Sequence, residues 1–266
     1  TGMPDDVREA EERTWMQRAA DLGYAEAQVR IGDMILATSP ELALSWYRKA
    51  ASQGDGGGIH RLGNLYYTGH GMEQNFAEAA KHYRQAIANG DTRATLDLAG
   101  MLLNGQGVAQ DHTEAFKLFM TFITASGSEA HREEIKPRVA YAHQSIGQCY
   151  MNGEGVASNY EKGLDHYRIA AELGDVFAMN SLGSKSRSFG HWKEAVALFT
   201  KAAQAGSCAG RVNLALYYSR GTGVSSEGGG GDVRNFEAAK KLLLKAVKQV
   251  DDPQHVLAHL ELGYVY

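Results

Sequence analysis

Leu62-Gly63-Asn64-Leu65-Tyr66-Tyr67-Thr68-Gly69-His70-Gly71 is the stretch from which the fold can be read, because it returns. The same ten-residue pattern stands at Leu98–Gly107, Ile146–Gly155 and Leu214–Gly223, each time with an aliphatic residue first and a Gly-x-Gly at the end. Self-similarity at intervals of about 20–50 residues marks stacked supersecondary units, each unable to bury its apolar face alone.

A second pattern follows each copy: Ala79-x3-Tyr83-x2-Ala86, Ala115-x3-Phe119, Gly163-x3-Tyr167-x2-Ala170 and Ala239-x3-Leu243-x2-Ala246, with further copies at Ala43-x3-Tyr47-x2-Ala50 and Ala195-x3-Phe199-x2-Ala202. Steps of three and four place side chains on one helix face. Each unit is therefore a pair of amphipathic helices, A then B. With Met16, Tyr47, Tyr83, Phe119, Tyr167, Phe199 and Leu243 as a ruler along helix B, the steps are 31, 36, 36, 48, 32 and 44 residues. The basic unit is 36; the longer steps carry insertions near 128–139 and 225–232, which are expected in loops because the register survives them.

The punctuation has physical reasons. Small residues at the start of helix A (Gly58, Ala94, Ala142, Ala178) and inside it (Gly32, Gly63, Ala99, Gly147, Gly183) permit close approach of a partner helix. The Gly-x-Gly turn supplies positive φ where a β-carbon would be costly. Ser39, Asn75, Asp111, Asn159 and Asn235 are expected to cap helix B, with Glu78 and Glu114 three residues after their caps completing capping boxes. Gly23, Gly54, Gly90, Gly174 and Gly206 fall where helix B ends.

Composition narrows the function. The chain has 266 residues, 44% hydrophobic and 22% charged, with a formal charge of −4, which leaves no basic excess to neutralise phosphates. Nucleic acid is not an expected partner. No apolar run approaches the roughly 20 residues of a membrane span, so direct membrane insertion is not expected either. No basic stretch leads into an apolar segment near the N-terminus, and Cys149 and Cys208, the two cysteines, read as reduced thiols, which favours a cytoplasmic setting. A nucleophile elbow, a phosphate loop, a paired-histidine zinc helix, Ser-x-x-Lys and Cys-x-x-Cys are all missing, so no catalytic residue, cofactor or metal site is assigned. His255 and His259 share a face but supply only two ligands. His82 and His166 occupy a helix-B position that holds Trp15, Trp46 and Leu118 elsewhere, which is the behaviour of a packing site. Cys208 stands at a helix start, where the dipole can lower a thiol pKa.

These residues resemble the Sel1-like repeat family, a relative of the tetratricopeptide repeat, whose pattern is approximately A-x4-L-G-x2-Y-x2-G-x-G-V-x3-D-x3-A-x3-Y-x2-A-A-x2-G. The likeness covers nearly the whole chain. Val108, Val156 and Val224 keep the loop valine and Met72 replaces it; the first unit lacks the glycine loop, and Leu182-Gly183-Ser184-Lys185-Ser186-Arg187-Ser188 has serine where the aromatic normally packs. The resemblance implies an all-α, right-handed solenoid of antiparallel helix pairs. On this reading residues 1–266 form a single solenoid of about six pairs, opening with a B-type helix and ending inside an A-type one. Leu260, Leu262, Tyr264 and Tyr266 stay apolar at a position where a complete array carries a polar cap, so a fragment of a longer chain is expected. The cysteine framework of the disulfide-rich relatives is absent, and their link to β-lactams is not carried over.

The resemblance implies a non-catalytic scaffold or adaptor for a protein or peptide partner; the alternative is a regulatory or accessory domain of an enzyme whose catalytic part lies outside the chain. In tetratricopeptide relatives the helix-A positions three before, one after and four after the small residue line the concave groove. In this chain those positions include His60, Asn64, Tyr67, Gln144, Gln148, Met151, Asn180, Ser184 and Arg187. Asn64, Gln144, Gln148, Asn180 and Arg187 are the expected polar anchors, since amides donate and accept at once. Tyr67 and Met151 offer apolar contact, and Ser184 completes the set. A second candidate surface is His131-Arg132-Glu133-Glu134 in the insertion.

Overall fold

Helices A and B alternate along the chain as the repeat demands. The structure is a computed structural model describing residues 5–127, 133–221, 234–249 and 251–265. The described residues form fourteen helices, α1 (Asp5–Asp21), α2 (Ala25–Ile35), α3 (Pro40–Ser52), α4 (Gly56–Thr68), α5 (Phe76–Ala88), α6 (Arg93–Asn104), α7 (His112–Ser126), α8 (Lys136–Asn152), α9 (Tyr160–Glu172), α10 (Val176–Ser188), α11 (Trp192–Gln204), α12 (Cys208–Arg220), α13 (Phe236–Val247) and α14 (His255–Val265). Among the described residues there is no strand. The fold is all-α, built from Sel1- and tetratricopeptide-like helix pairs. Even-numbered helices are of A type and odd-numbered ones of B type. Two compact units result: α1 to α7 with Glu154–Val156, and α8 to α14.

Within each unit helix A packs on its own helix B, and the small residue inside helix A is the reason. A Cβ on Gly63 would stand 2.6 Å from the Tyr83 ring, on Gly147 2.6 Å from Tyr167, and on Gly183 2.7 Å from Phe199. The glycine is thus a socket for the helix-B aromatic, and Tyr47, Tyr83, Phe119 and Phe199 are among the most deeply buried side chains. The residue following the socket matches the ring it faces. Tyr47 donates its hydroxyl to Asp33 at 2.8 Å and Tyr83 to Asn64 at 2.8 Å, whereas Gly100 and Ser184 follow the sockets whose helix-B ring is phenylalanine.

In the loops at 69–71, 105–107 and 153–155 both glycines have positive φ, for different uses. Gly69, Gly105, Gly153 and Gly221 end helix A in the left-handed region, their N–H groups bonding carbonyls four residues back. The second glycine is a contact: a Cβ on Gly71 would meet Pro40 at 2.8 Å, and one on Gly107 would stand 2.7 Å from the Ala77 backbone nitrogen. The loop after one helix A therefore seats on the first turn of the preceding helix B.

Four of the five expected caps form: Asn75, Asp111, Asn159 and Asn235 accept from the backbone N–H three residues on. Ser39 makes no such bond, and Pro40 begins α3 beside it. The capping boxes are not closed. The backbone N–H groups of Asn75 and Asp111 bond the Tyr66 and Leu102 carbonyls at the end of the preceding helix A, so Glu78 and Glu114 turn outward to Lys81 and Arg84. Helix A also starts before its first small residue, with Asp55, Asp175 and Ser207 as side-chain caps. The insertion near 128–139 is not all loop. Pro137 lies in the first turn of a lengthened α8, and Val139 is buried. His131, Arg132 and the 225–232 segment lie outside the described residues.

Candidate functional site

Each A helix sorts its outward positions by depth. The position three before the socket is closed off in four of them: Val29, His60, Leu96 and Val212 are buried. His60 was expected on the groove face. It is instead a buried element, only 1% exposed, with two carboxylates against it, Asp97 from α6 and Asp91 from the turn before it. Its Nε2 lies 2.7 Å from Asp97 and its Nδ1 3.4 Å from Asp91, the second an ionic contact too poorly directed for a hydrogen bond. Burial opposes the imidazolium, but the two acids prevail and raise its pKa. Asp91, also buried, is held far below the usual carboxylate range by His60 and by Arg93, whose guanidinium bonds it at 2.9 and 2.7 Å.

The other expected site residues are all half-buried, and each unit presents its own set. In the first, the Asn64 Oδ1 is used by Tyr83, while Tyr67 donates to Gln106 at 3.2 Å and meets the Phe76 ring edge-to-face at 5.3 Å. In the second, Gln144 donates to Gln148 at 3.3 Å, and Met151 packs against the cluster around Leu164 and Leu182. Asn180 donates to the Val176 carbonyl and to Ser207, but its buried Oδ1 has no partner among the described residues. Arg187 and Ser184 lie on the same face of α10.

Positions two before the socket add charge that the sequence reading passed over. Arg61 clasps Asp33 through Nε at 2.7 Å and Nη2 at 2.8 Å; burial alone would raise the Asp33 pKa, yet this clasp and Tyr47 lower it. Arg61, Asp97 and Asn213 recur at that position, and this recurrence is the signal that finds them.

A histidine pair lies in the second unit. His143 Nδ1 and His166 Nδ1 are 3.0 Å apart, and Tyr150 stacks on His166. One ring must donate and the other accept, so the two cannot both be charged. Burial and then the charge of His166 push His143 down to about 4, and burial lowers His166. Both folded values lie below the roughly 6.5 of an unfolded histidine. The stabilisation is therefore complete above that pH and lost as pH falls toward 4. Amide exchange of α8 and α9 is expected to accelerate between pH 6.5 and 4.5, beyond the intrinsic trend, and to flatten in His143→Gln/His166→Gln. An unchanged slope in the double variant would count against the pair.

Neither cysteine is in a disulfide, and both are buried. The expected dipole effect on Cys208 is overturned: burial, reinforced by Asp252, raises its thiol pKa. His255 and His259 meet edge-to-face at 6.0 Å. Among the described residues no group of three or more His, Cys, Asp or Glu side chains is arranged to hold a metal ion, and no helix is long and apolar enough to cross a membrane.

Known proteins agree with this architecture. The Sel1 repeat model matches residues 13–24, 25–55, 58–91, 92–119, 140–175, 193–207 and 209–251. A Sel1 repeat protein from Oxalobacter formigenes superposes with a TM-score of 0.70 at 22% identity, over 90% of this chain and 98% of that one. A protective antigen present in uropathogenic Escherichia coli strains, displaying an SLR fold, superposes with a TM-score of 0.56 at 28% identity, over 97% of this chain and 60% of that one. An uncharacterized protein of Neisseria meningitidis serogroup B is 26% identical over 171 residues, which are 64% of this chain but only 26% of that protein.

Proposed function

Since the chain belongs to the Sel1 repeat family, whose members are generally non-catalytic protein-interaction scaffolds, we propose that it binds a peptide or partner helix on the exposed face of its A helices. The observation that carries this reading is unused hydrogen-bonding capacity on one helix face: among the described residues, an Arg187 guanidinium with no hydrogen bond or ion pair. Gln144 and Gln148 bond only weakly to each other, so a peptide backbone can replace that bond with two better ones. Met151 supplies apolar contact beside them. Asn64 and Tyr67 are the corresponding anchors of the first unit. A few such positions carry most of the affinity of an interface.

The test is affinity capture from native lysate with the wild type beside Asn64→Ala/Gln148→Ala/Asn180→Ala, after circular dichroism shows equal helicity, followed by photo-crosslinking from position 151. Loss of the partner from the triple variant, together with a crosslink to that partner, is the expected result. Equal capture by both chains removes the A-helix face as the binding surface.

A further inference from the structure

The repeat pattern fails at one place, and a cavity opens there. In two other units an aromatic three residues after the socket fills the space over helix B: Tyr66 stacks on His82 at 5.2 Å and Tyr150 on His166 at 5.7 Å. In α10 that position is Ser186, buried but too small to do so. The next position, where Tyr67 closes on Phe76, holds Arg187, and the Phe76 position holds Trp192. Between α10, α11 and α12 lies a cavity of about 240 Å³, edged by Arg187, Trp192, Asn213, Leu216, Tyr217 and Arg220.

The chemistry of that lining is specific. Trp192, Leu216 and Tyr217 offer apolar and aromatic wall, while the polar groups are underused. Among the described residues Arg187, the Asn213 amide, the Trp192 indole N–H and the Tyr217 hydroxyl make no hydrogen bond. Arg220 bonds Glu261 at 3.3 Å through one nitrogen, and its side chain is 60% exposed, so most of its donors remain. Glu261 offsets the charge of Arg220 and leaves that of Arg187 uncompensated. The volume is below the roughly 300–1,000 Å³ of sites that enclose a small molecule, and suits one large side chain.

We propose that this cavity is an anchor pocket for a partner protein, taking an aromatic or large apolar side chain while an adjacent Asp or Glu of the same segment pairs with Arg187. The proposal rests on the A-helix face being the binding surface and adds the chemistry of the partner. Asn213 is placed to bond the peptide group between the two side chains. The arginine fork matches a carboxylate with two parallel bonds, which a lysine cannot reproduce.

The probe is the blocked peptide acetyl-Ala-Glu-Phe-Ala-amide, followed through the Trp192 indole N–H signal, assigned with Trp192→Phe. Binding is expected to shift that signal, with affinity falling about tenfold when Gln replaces Glu in the probe and at least as much when Ala replaces Phe. In the protein, Arg187→Gln should erase the preference for Glu while keeping that for Phe, and Leu216→Trp, which fills the cavity, should abolish binding; circular dichroism verifies that both fold. A probe that leaves Trp192 unmoved, or binds Arg187→Gln with an unchanged Glu preference, overturns the pocket. N-acetyl-phenylalanine binding as tightly as the peptide also overturns it, since the site would then serve a small carboxylate. These failures leave the broader surface standing if the triple-variant capture succeeds, because Asn64, Gln148 and Asn180 do not line the cavity.

Discussion

Gly107→Ala is expected to lower the stability of the first unit by about 2–5 kcal/mol, against about 1–2 kcal/mol for Gly105→Ala, two residues away. Both glycines hold nearly the same left-handed backbone, φ +68 and +67. Alanine there costs about 1–2 kcal/mol by conformation alone. The difference is what the new methyl meets. At Gly105 the nearest atom is the Gln110 Cβ at 3.5 Å, an ordinary contact. At Gly107 it collides with the Phe76 and Ala77 backbone in the first turn of α5, which cannot yield without moving the helix. Overpacking of that kind adds about 1–3 kcal/mol. Urea unfolding followed by circular dichroism, with amide exchange to localise the loss, checks the ordering. Equal losses would show that the second glycine serves only as a turn.

Asp91→Asn is expected to destabilise the same unit by about 2–4 kcal/mol at neutral pH, because breaking one side of a buried ion pair leaves the other charge uncompensated. His60 would keep only Asp97, and Arg93 would lose its fork. The half-exposed Arg93 recovers part of this through water, hence a figure below the largest known for such losses. The pH dependence has two signs. His60, with its pKa raised above about 6.5, contributes stability that is complete below that pH and lost as pH rises through its folded value. Asp91, with its pKa lowered, contributes stability that is present above its unfolded value of about 3.9 and lost as pH falls through its folded one. The cluster thus stabilises most fully between about pH 4 and 6.5, the interval over which the His143 and His166 pair weakens the second unit. In Asp91→Asn the His60 titration, followed by NMR, should move down; a titration that stays in place would sink the assignment.

Legibility followed the range of each interaction. The caps at Asn75, Asp111, Asn159 and Asn235 are three-residue events and were readable from adjacent letters. The caps at Asp55, Asp175 and Ser207 are as local, but each stands between a glycine that ends helix B and a small residue inside helix A, which mask it as a helix start. The unclosed capping boxes could not be foreseen, since the backbone N–H that Glu78 would have bonded is taken by Tyr66 of the preceding helix. Arg61 and Asp33 lie 28 positions apart, and no local pattern pairs them.

By itself the sequence determined that the chain is built of helix pairs, where glycines end them, and where small residues let a partner helix approach. These follow from period, backbone freedom and side-chain volume, which are properties of the residues themselves. Only the tertiary structure decided that His60 is buried between two acids, that the Cys208 thiol is buried with its pKa raised, and that a cavity edged by arginines lies between α10, α11 and α12. Desolvation and ion pairing depend on what a neighbouring repeat brings within a few ångströms, and the spacing of letters along one helix carries no record of that.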